Sequence, residues 1–146
     1  MREGIGLYRG KREYDGEWVY GYYYKAKYYK TDTELLDYIT IPHPEENGRG
    51  SDNIIVTPES VGEYTGKTDK KNKKIFENDI VTHFINWLGK RVNGVVRYDN
   101  ITASWVCDFV LDDKKESAFL ADWVNGNGAE IIGNVWDNPE FLEEKK

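Results

Sequence analysis

Glu17-Trp18-Val19-Tyr20-Gly21-Tyr22-Tyr23-Tyr24-Lys25-Ala26-Lys27-Tyr28-Tyr29 decides the fold class. Aromatic side chains, which suit a pleated and half-buried surface, dominate it, and it carries no helical period. It reads as one long strand. Side chains alternate across a strand, so Trp18, Tyr20, Tyr22, Tyr24, Ala26 and Tyr28 share one face, and Glu17, Val19, Gly21, Tyr23, Lys25 and Lys27 the other. The first face is expected to be core and the second surface. Just upstream, Ile5 to Gly10 reads as a short strand and Asp15-Gly16 as a hairpin turn.

Strand signals continue downstream. Leu35 to Ile41 and Asn53 to Thr57 are strand candidates, separated by a breaker-rich loop from Pro42 to Ser51. Pro58-Glu59-Ser60-Val61 suits one helical turn with Thr57 as cap and Pro58 in first position. A loop follows from Gly66 to Lys73. Then come strand candidates at Lys74 to Phe84, Arg91 to Tyr98, Ser104 to Leu111 and Ala129 to Trp136. Asp112-Asp113 and Asn125 to Gly128 supply turns. Phe119 to Trp123 reads as a helical turn or a short strand, and Glu140 to Lys146 as a helical tail. The fold class is mainly β with few short helical turns. An N-terminal β lobe (residues 1–62) is expected to pack with a C-terminal β lobe (75–146), joined by a Lys-rich connecting loop (63–74).

Composition fits a soluble globular chain: of 146 residues, 39% are hydrophobic and 32% charged. Aromatic residues reach 14%, most of them Tyr. The net charge of -6 argues against non-specific duplex binding, which neutralises phosphates with Lys and Arg. Residues 1–73 carry a net of -1 and residues 74–146 a net of -5, so a phosphate partner would find its host in the N-terminal half. Cys107 is the only cysteine, which excludes an intrachain disulfide, and its apolar run implies a buried thiol. With neither a secretory signal nor a long apolar stretch, the expected compartment is the cytoplasm, with no membrane partner. Asn100-Ile101-Thr102 fits a glycosylation sequon, a chance match in that compartment.

Two residue groups deserve a chemical reading. Tyr23, Lys25, Lys27, Tyr29 and Lys30 interleave rings and cations, the pattern of a platform that stacks bases while Lys tracks the backbone. An amphipathic strand with Tyr at a sheet edge or subunit contact produces the same pattern. Lys67, Lys70, Lys71 and Lys73, beside Lys74, form a basic cluster that would contact phosphates; a solvated loop is the plainer reading. Gly66-Lys67-Thr68 ends like a phosphate-binding P-loop, but Val61 stands where that loop needs its first Gly, and turn sequence follows instead of a helix. His43 with Glu45 and Glu46 offers only a weak metal set, and His83 stands apart, so no metal and no cofactor are expected. Asp108, Asp112 and Asp113 are ordinary near a turn, and no nucleophile with a neighbouring base emerges. An enzyme is not expected.

Several segments together resemble the YopX family of bacteriophage and prophage proteins. Gly10-Lys11-Arg12 with Gly16-Glu17-Trp18-Val19-Tyr20-Gly21-Tyr22 is one signature. Val61-Gly62-Glu63-Tyr64-Thr65-Gly66-Lys67, leading through Asp69 to Ile75-Phe76-Glu77-Asn78-Asp79-Ile80-Val81, is the second. Gly94-Val95-Val96 and Ile131-Ile132-Gly133-Asn134-Val135-Trp136-Asp137-Asn138-Pro139-Glu140 complete the set. Asn78 replaces the family's usual Gly, and Asn tolerates a left-handed turn. Asn72-Lys73 likewise replaces an Asn-Gly. The resemblance implies a mostly β protein whose C-terminal part is an SH3-like barrel, and it carries over no catalytic site. The expected function is a non-catalytic binding or self-assembling β scaffold, a homo-oligomer contacting a phage or host protein. The alternative is a nucleic-acid-binding accessory factor using residues 22–30.

Overall fold

A computed structural model of the chain describes residues 4, 6–27, 34–43, 50–125 and 128–142. The chain is mainly β and divides into two compact units, Met1–Tyr64 and Thr65–Lys146.

In the first unit, β1 (Tyr8–Lys11), β2 (Trp18–Lys27), β3 (Leu35–Pro42) and β4 (Ser51–Ile55) form an antiparallel meander. A fifth strand, β5 (Gly62–Thr68), returns to pair with β1 through Gly62 and Glu63. The turn between β1 and β2 has Gly16 at φ 74°, where a side chain would be strained. Beside it the Arg12 guanidinium donates to both carboxylate oxygens of Asp15, which also accepts the Glu17 N–H. A 3-10 turn, Pro58–Ser60, has Pro58 in its first position as expected, but the Thr57 side chain makes no cap bond. Ser60 takes over instead: its buried hydroxyl donates to the Thr57 carbonyl at 2.6 Å and accepts the Lys11 N–H at 2.7 Å.

The core of this unit corrects the expected facing of β2. Val19, Ile39 and Val56 are buried, with Tyr8, Tyr23, Ile41 and Ile54 packed against them. Val19, Gly21 and Tyr23 therefore point inward, while Tyr20, Tyr22 and Tyr24 are exposed. Register supplies the reason. Tyr23 pairs with Ile39, and Ile39 with Ile54, so Ile39, Ile41 and Ile54 of the neighbouring strands lie on the face of Val19 and Tyr23. Gly21 belongs to the same face; a Cβ there would overlap the Thr40 carbonyl oxygen and press on Ile39. Aliphatic burial outweighs the count of rings in β2 alone, because a Tyr hydroxyl tolerates solvent and an Ile does not.

The second unit opens with the remainder of β5, from Thr65, whose hydroxyl donates to the Ile75 carbonyl of β6 (Lys74–Phe76). Residues 63–68, expected as loop, are thus strand. Asp69 then accepts the Lys71 and Lys73 N–H groups with Oδ1 and closes a tight turn. The single strand expected from Lys74 to Phe84 is two, β6 and β7 (Asp79–Ile85), broken at Glu77-Asn78. Asn78 sits at φ 69°, the left-handed geometry its side chain tolerates.

β8 (Lys90–Asp99), β9 (Ser104–Leu111), β10 (Lys114–Phe119), the short helix α1 (Leu120–Val124) and β11 (Glu130–Asn134) follow. They give a five-stranded antiparallel sheet in the order β10-β9-β8-β7-β11. β10 is an addition to the expected elements, since Lys114-Lys115-Glu116-Ser117 carries little alternation. The hairpin before it turns on Asp112 and Asp113, both at positive φ. The core collects Ile75, Val81, Val96, Cys107, Leu120, Trp123 and Ala129. Trp123 anchors α1 by donating its indole N–H to the Val81 carbonyl at 3.0 Å. Cys107 is fully buried, and burial pushes its thiol up to about 12, so it is an inert packing residue. The C-terminal tail expected as helical is a 3-10 turn over Pro139–Leu142; residues 143–146 lie outside the described residues.

Candidate binding faces

The outward face of the first unit is built by alternation along β2. Trp18, Tyr20, Tyr22 and Tyr24 follow one another at every second residue, about 7 Å apart. Tyr20 is 47% exposed, Tyr22 52% and Tyr24 37%. Their cross-strand neighbours are Arg9 and Lys11 on β1, and Tyr38 and Thr40 on β3. Arg9 and Lys11 lie over the Trp18 ring, with the Arg9 guanidinium carbon 4.5 Å and the Lys11 ammonium 5.3 Å from its centre. Tyr24 stacks on Tyr38 with ring centres 5.1 Å apart and donates its hydroxyl to the Asn53 side chain at 3.1 Å. Tyr20, Tyr22 and Tyr24 are exposed, whereas their neighbours Arg9 and Tyr38 are buried.

The aromatic-basic group read from the sequence is divided by this geometry. Tyr23 is on the inner face, tilted against Tyr8 at 5.4 Å, and donates its hydroxyl to the buried Asp37 carboxylate at 2.6 Å. Burial first, then Asp37, pushes its phenol up to about 12. Tyr23 is thus a structural ring. Lys25 and Lys27 are exposed on the same side as Tyr23, with Lys25 opposite Asp37. Tyr29 and Lys30 lie outside the described residues. The period-two row of rings is legible in the sequence, but Tyr20, Tyr22 and Tyr24 are exposed instead of forming the expected core face.

The basic cluster is also partly engaged. Lys70 and Lys71 close on Glu130 at 3.2 and 2.6 Å, and these two ammonium groups hold its carboxyl below the usual range. Behind them Asp69, itself buried, accepts the Ile131 N–H at 3.1 Å, tying the turn to β11. Lys67 and Lys73 remain exposed. Gly66-Lys67-Thr68 lies in β5, and a phosphate-wrapping loop before a helix is not formed there. His43 contacts Asp52 at 3.1 Å, while Glu45 and Glu46 lie outside the described residues. No group of three or more potential metal ligands occurs among the described residues.

In the second unit, β8, β9, β10 and the 3-10 turn at Phe141 line an open groove of about 1360 Å³. Among its lining residues is Asp108, which accepts Arg97 Nε at 2.6 Å, Arg97 Nη2 at 3.1 Å and the Ser117 hydroxyl at 2.6 Å. Arg97 holds the Asp108 carboxyl below its ordinary range, with Ser117 adding to the effect. These bonds join β8, β9 and β10 through their side chains. No helix among the described residues is long and apolar enough to cross a membrane.

An antiparallel β protein of two compact units, with one aromatic sheet face turned to solvent, is the class these observations define. The YopX protein family model matches residues 7–143, nearly the whole chain, and the protein belongs to that family. A similar solved structure is protein EF1440 from Enterococcus faecalis, at 20% identity and a TM-score of 0.42, covering 93% of this chain and 96% of that one. No curated protein matches.

Proposed function

We propose that this protein is a non-catalytic binding or self-assembling β scaffold that contacts its partner, a phage or host protein or another copy of itself, through the outward face of β2. The observation that carries the reading is the row Tyr20, Tyr22 and Tyr24, large rings exposed together on one sheet face. Tyr combines a wide apolar surface with a hydroxyl and few rotatable bonds, which is why it is enriched in contact surfaces. The strand order of the second unit, four strands in succession and a fifth returning beyond a short helix to pair with the first, supports reading that unit as the SH3-like lobe.

The nucleic-acid alternative at residues 22–30 loses Tyr23 as a stacking ring, since its hydroxyl and ring are occupied within the unit. The test is a tagged pull-down with nuclease present, run for the wild type and for a Tyr20→Ser, Tyr22→Ser, Tyr24→Ser variant shown to be folded by circular dichroism. The expected result is a discrete protein partner, or a tagged–untagged pair of this chain, that survives nuclease and is lost in the variant. Association retained by the folded variant would remove the face from the proposal.

A further inference from the structure

We infer that the outward face of β2 takes a second copy of this chain, sheet against sheet, with the two β2 strands antiparallel across a twofold axis beside Tyr22; this rests on reading the face as a contact surface. Charge is the first argument. Residues 1–64 contain eight Lys/Arg and twelve Asp/Glu, a net of -4, and the whole chain is -6. Two copies therefore carry net charge of the same sign. The outward strand positions of the first unit break that pattern. Across β1 to β4 they are Arg9 and Lys11; Trp18, Tyr20, Tyr22, Tyr24 and Ala26; Leu36, Tyr38, Thr40 and Pro42; Ser51, Asn53 and Ile55, of which Arg9 and Tyr38 are buried within the chain. None is acidic, whereas the inner positions of the same strands include Asp37 and Asp52. Among the described residues, this sheet face of the unit lets two copies meet without opposing carboxylates from its strands.

Symmetry is the second argument. A twofold interface must be self-complementary, each residue meeting its counterpart's neighbour in reverse order. The exposed row is centred on Tyr22, its most exposed member, so rotation lays Tyr20 over Tyr24 of the other copy and Tyr22 over Tyr22. Sheets packed face to face sit about 10 Å apart with interdigitated side chains, a spacing that interleaved tyrosines fill. Single-stranded nucleic acid would need cations ready for phosphate, and the two on this face, Arg9 and Lys11, lie over Trp18.

Sedimentation velocity across the micromolar range tests it with Tyr22→Arg, Tyr22→Glu and their equimolar mixture, and with Tyr14→Arg as a charge-matched control at an exposed site off the face. The expected result is a wild-type and Tyr14→Arg dimer, a dissociation constant raised ~30-fold or more in each Tyr22 variant, and recovery of dimer in the mixture. Recovery also shows that both variants are folded. A monomeric wild type, single variants that dimerise like wild type, or a mixture that stays monomeric overturns the inference. A monomeric wild type whose nuclease-resistant protein partner is lost with Tyr22→Arg overturns the second copy but leaves the contact-face reading intact. A Tyr22→Arg variant unchanged in both assays removes that reading as well.

Discussion

Arg12 and Asp15 show how single residues fix the start of the exposed face. Arg12 closes the β1–β2 turn by pairing with Asp15, and the next residue, Gly16, holds a left-handed conformation that only glycine takes without strain. The Arg12 side-chain hydrogen bond, followed by the Glu17 N–H, draws the Asp15 carboxyl from 3.8 to about 2. Because the folded value lies below the unfolded one, the contribution is present above 3.8 and is lost as pH falls toward 2. We expect a carboxyl NMR titration to place the Asp15 midpoint near 2, and Arg12→Ala to move it back toward 3.8. An unmoved midpoint would mean that the pair is open in solution. The Asp15-Gly16 turn was readable from the sequence because a left-handed glycine leaves a local signature. The bonds of Asp69 to Ile131, and of Ser60 to Lys11, were not, because they join residues far apart in the chain.

Among the elements, β2 was legible as a strand but not as an oriented one. Alternation within it divides its residues correctly into two sets; which set is inward depends on where Ile39, Ile41 and Ile54 fall once the register is set. The Lys-rich stretch shows the same limit. Its charges suggested a solvated loop, yet Thr65 bonds Ile75, and Asp69 gathers the N–H groups of Lys71, Lys73 and Ile131. Asp69→Ala leaves three donors without this acceptor, at a cost of about 2–4 kcal/mol, and Asp69→Asn should cost less. Urea unfolding of the two variants checks this; a midpoint shift too small to resolve for Asp69→Ala would show that the turn is not held by its carboxylate. α1 could not be separated from strand in the sequence because Phe119 to Trp123 is too short to establish a period, and the deciding bond, from Trp123 to Val81, is again non-local.

For the molecule as a whole, charge distribution matters more than total charge. Under the proposed pairing of two copies through acid-free strand positions, few ion pairs cross the contact although the chain is net -6. Its affinity should therefore change by less than ~3-fold between low and moderate salt, whereas a phosphate-binding surface would weaken steeply over the same range. Repeating the sedimentation series at two salt concentrations measures this directly, and a steep loss of affinity with salt would place the contact on charged residues instead. The fold class, the family and most strand positions were readable in the residues; the identity of the exposed face was not, because it is a property of four strands in register.

The return of β11 to β7 also bears on how the second unit is made. β7 to β10 are joined by short turns and can pair as they leave the ribosome, each strand finding the one before it. The other side of β7, with the apolar Ile80 and Val81, must wait for Glu130–Asn134. Throughout that interval of synthesis it is an open sheet edge, which is where a nascent chain of this topology is most prone to pair with the wrong neighbour.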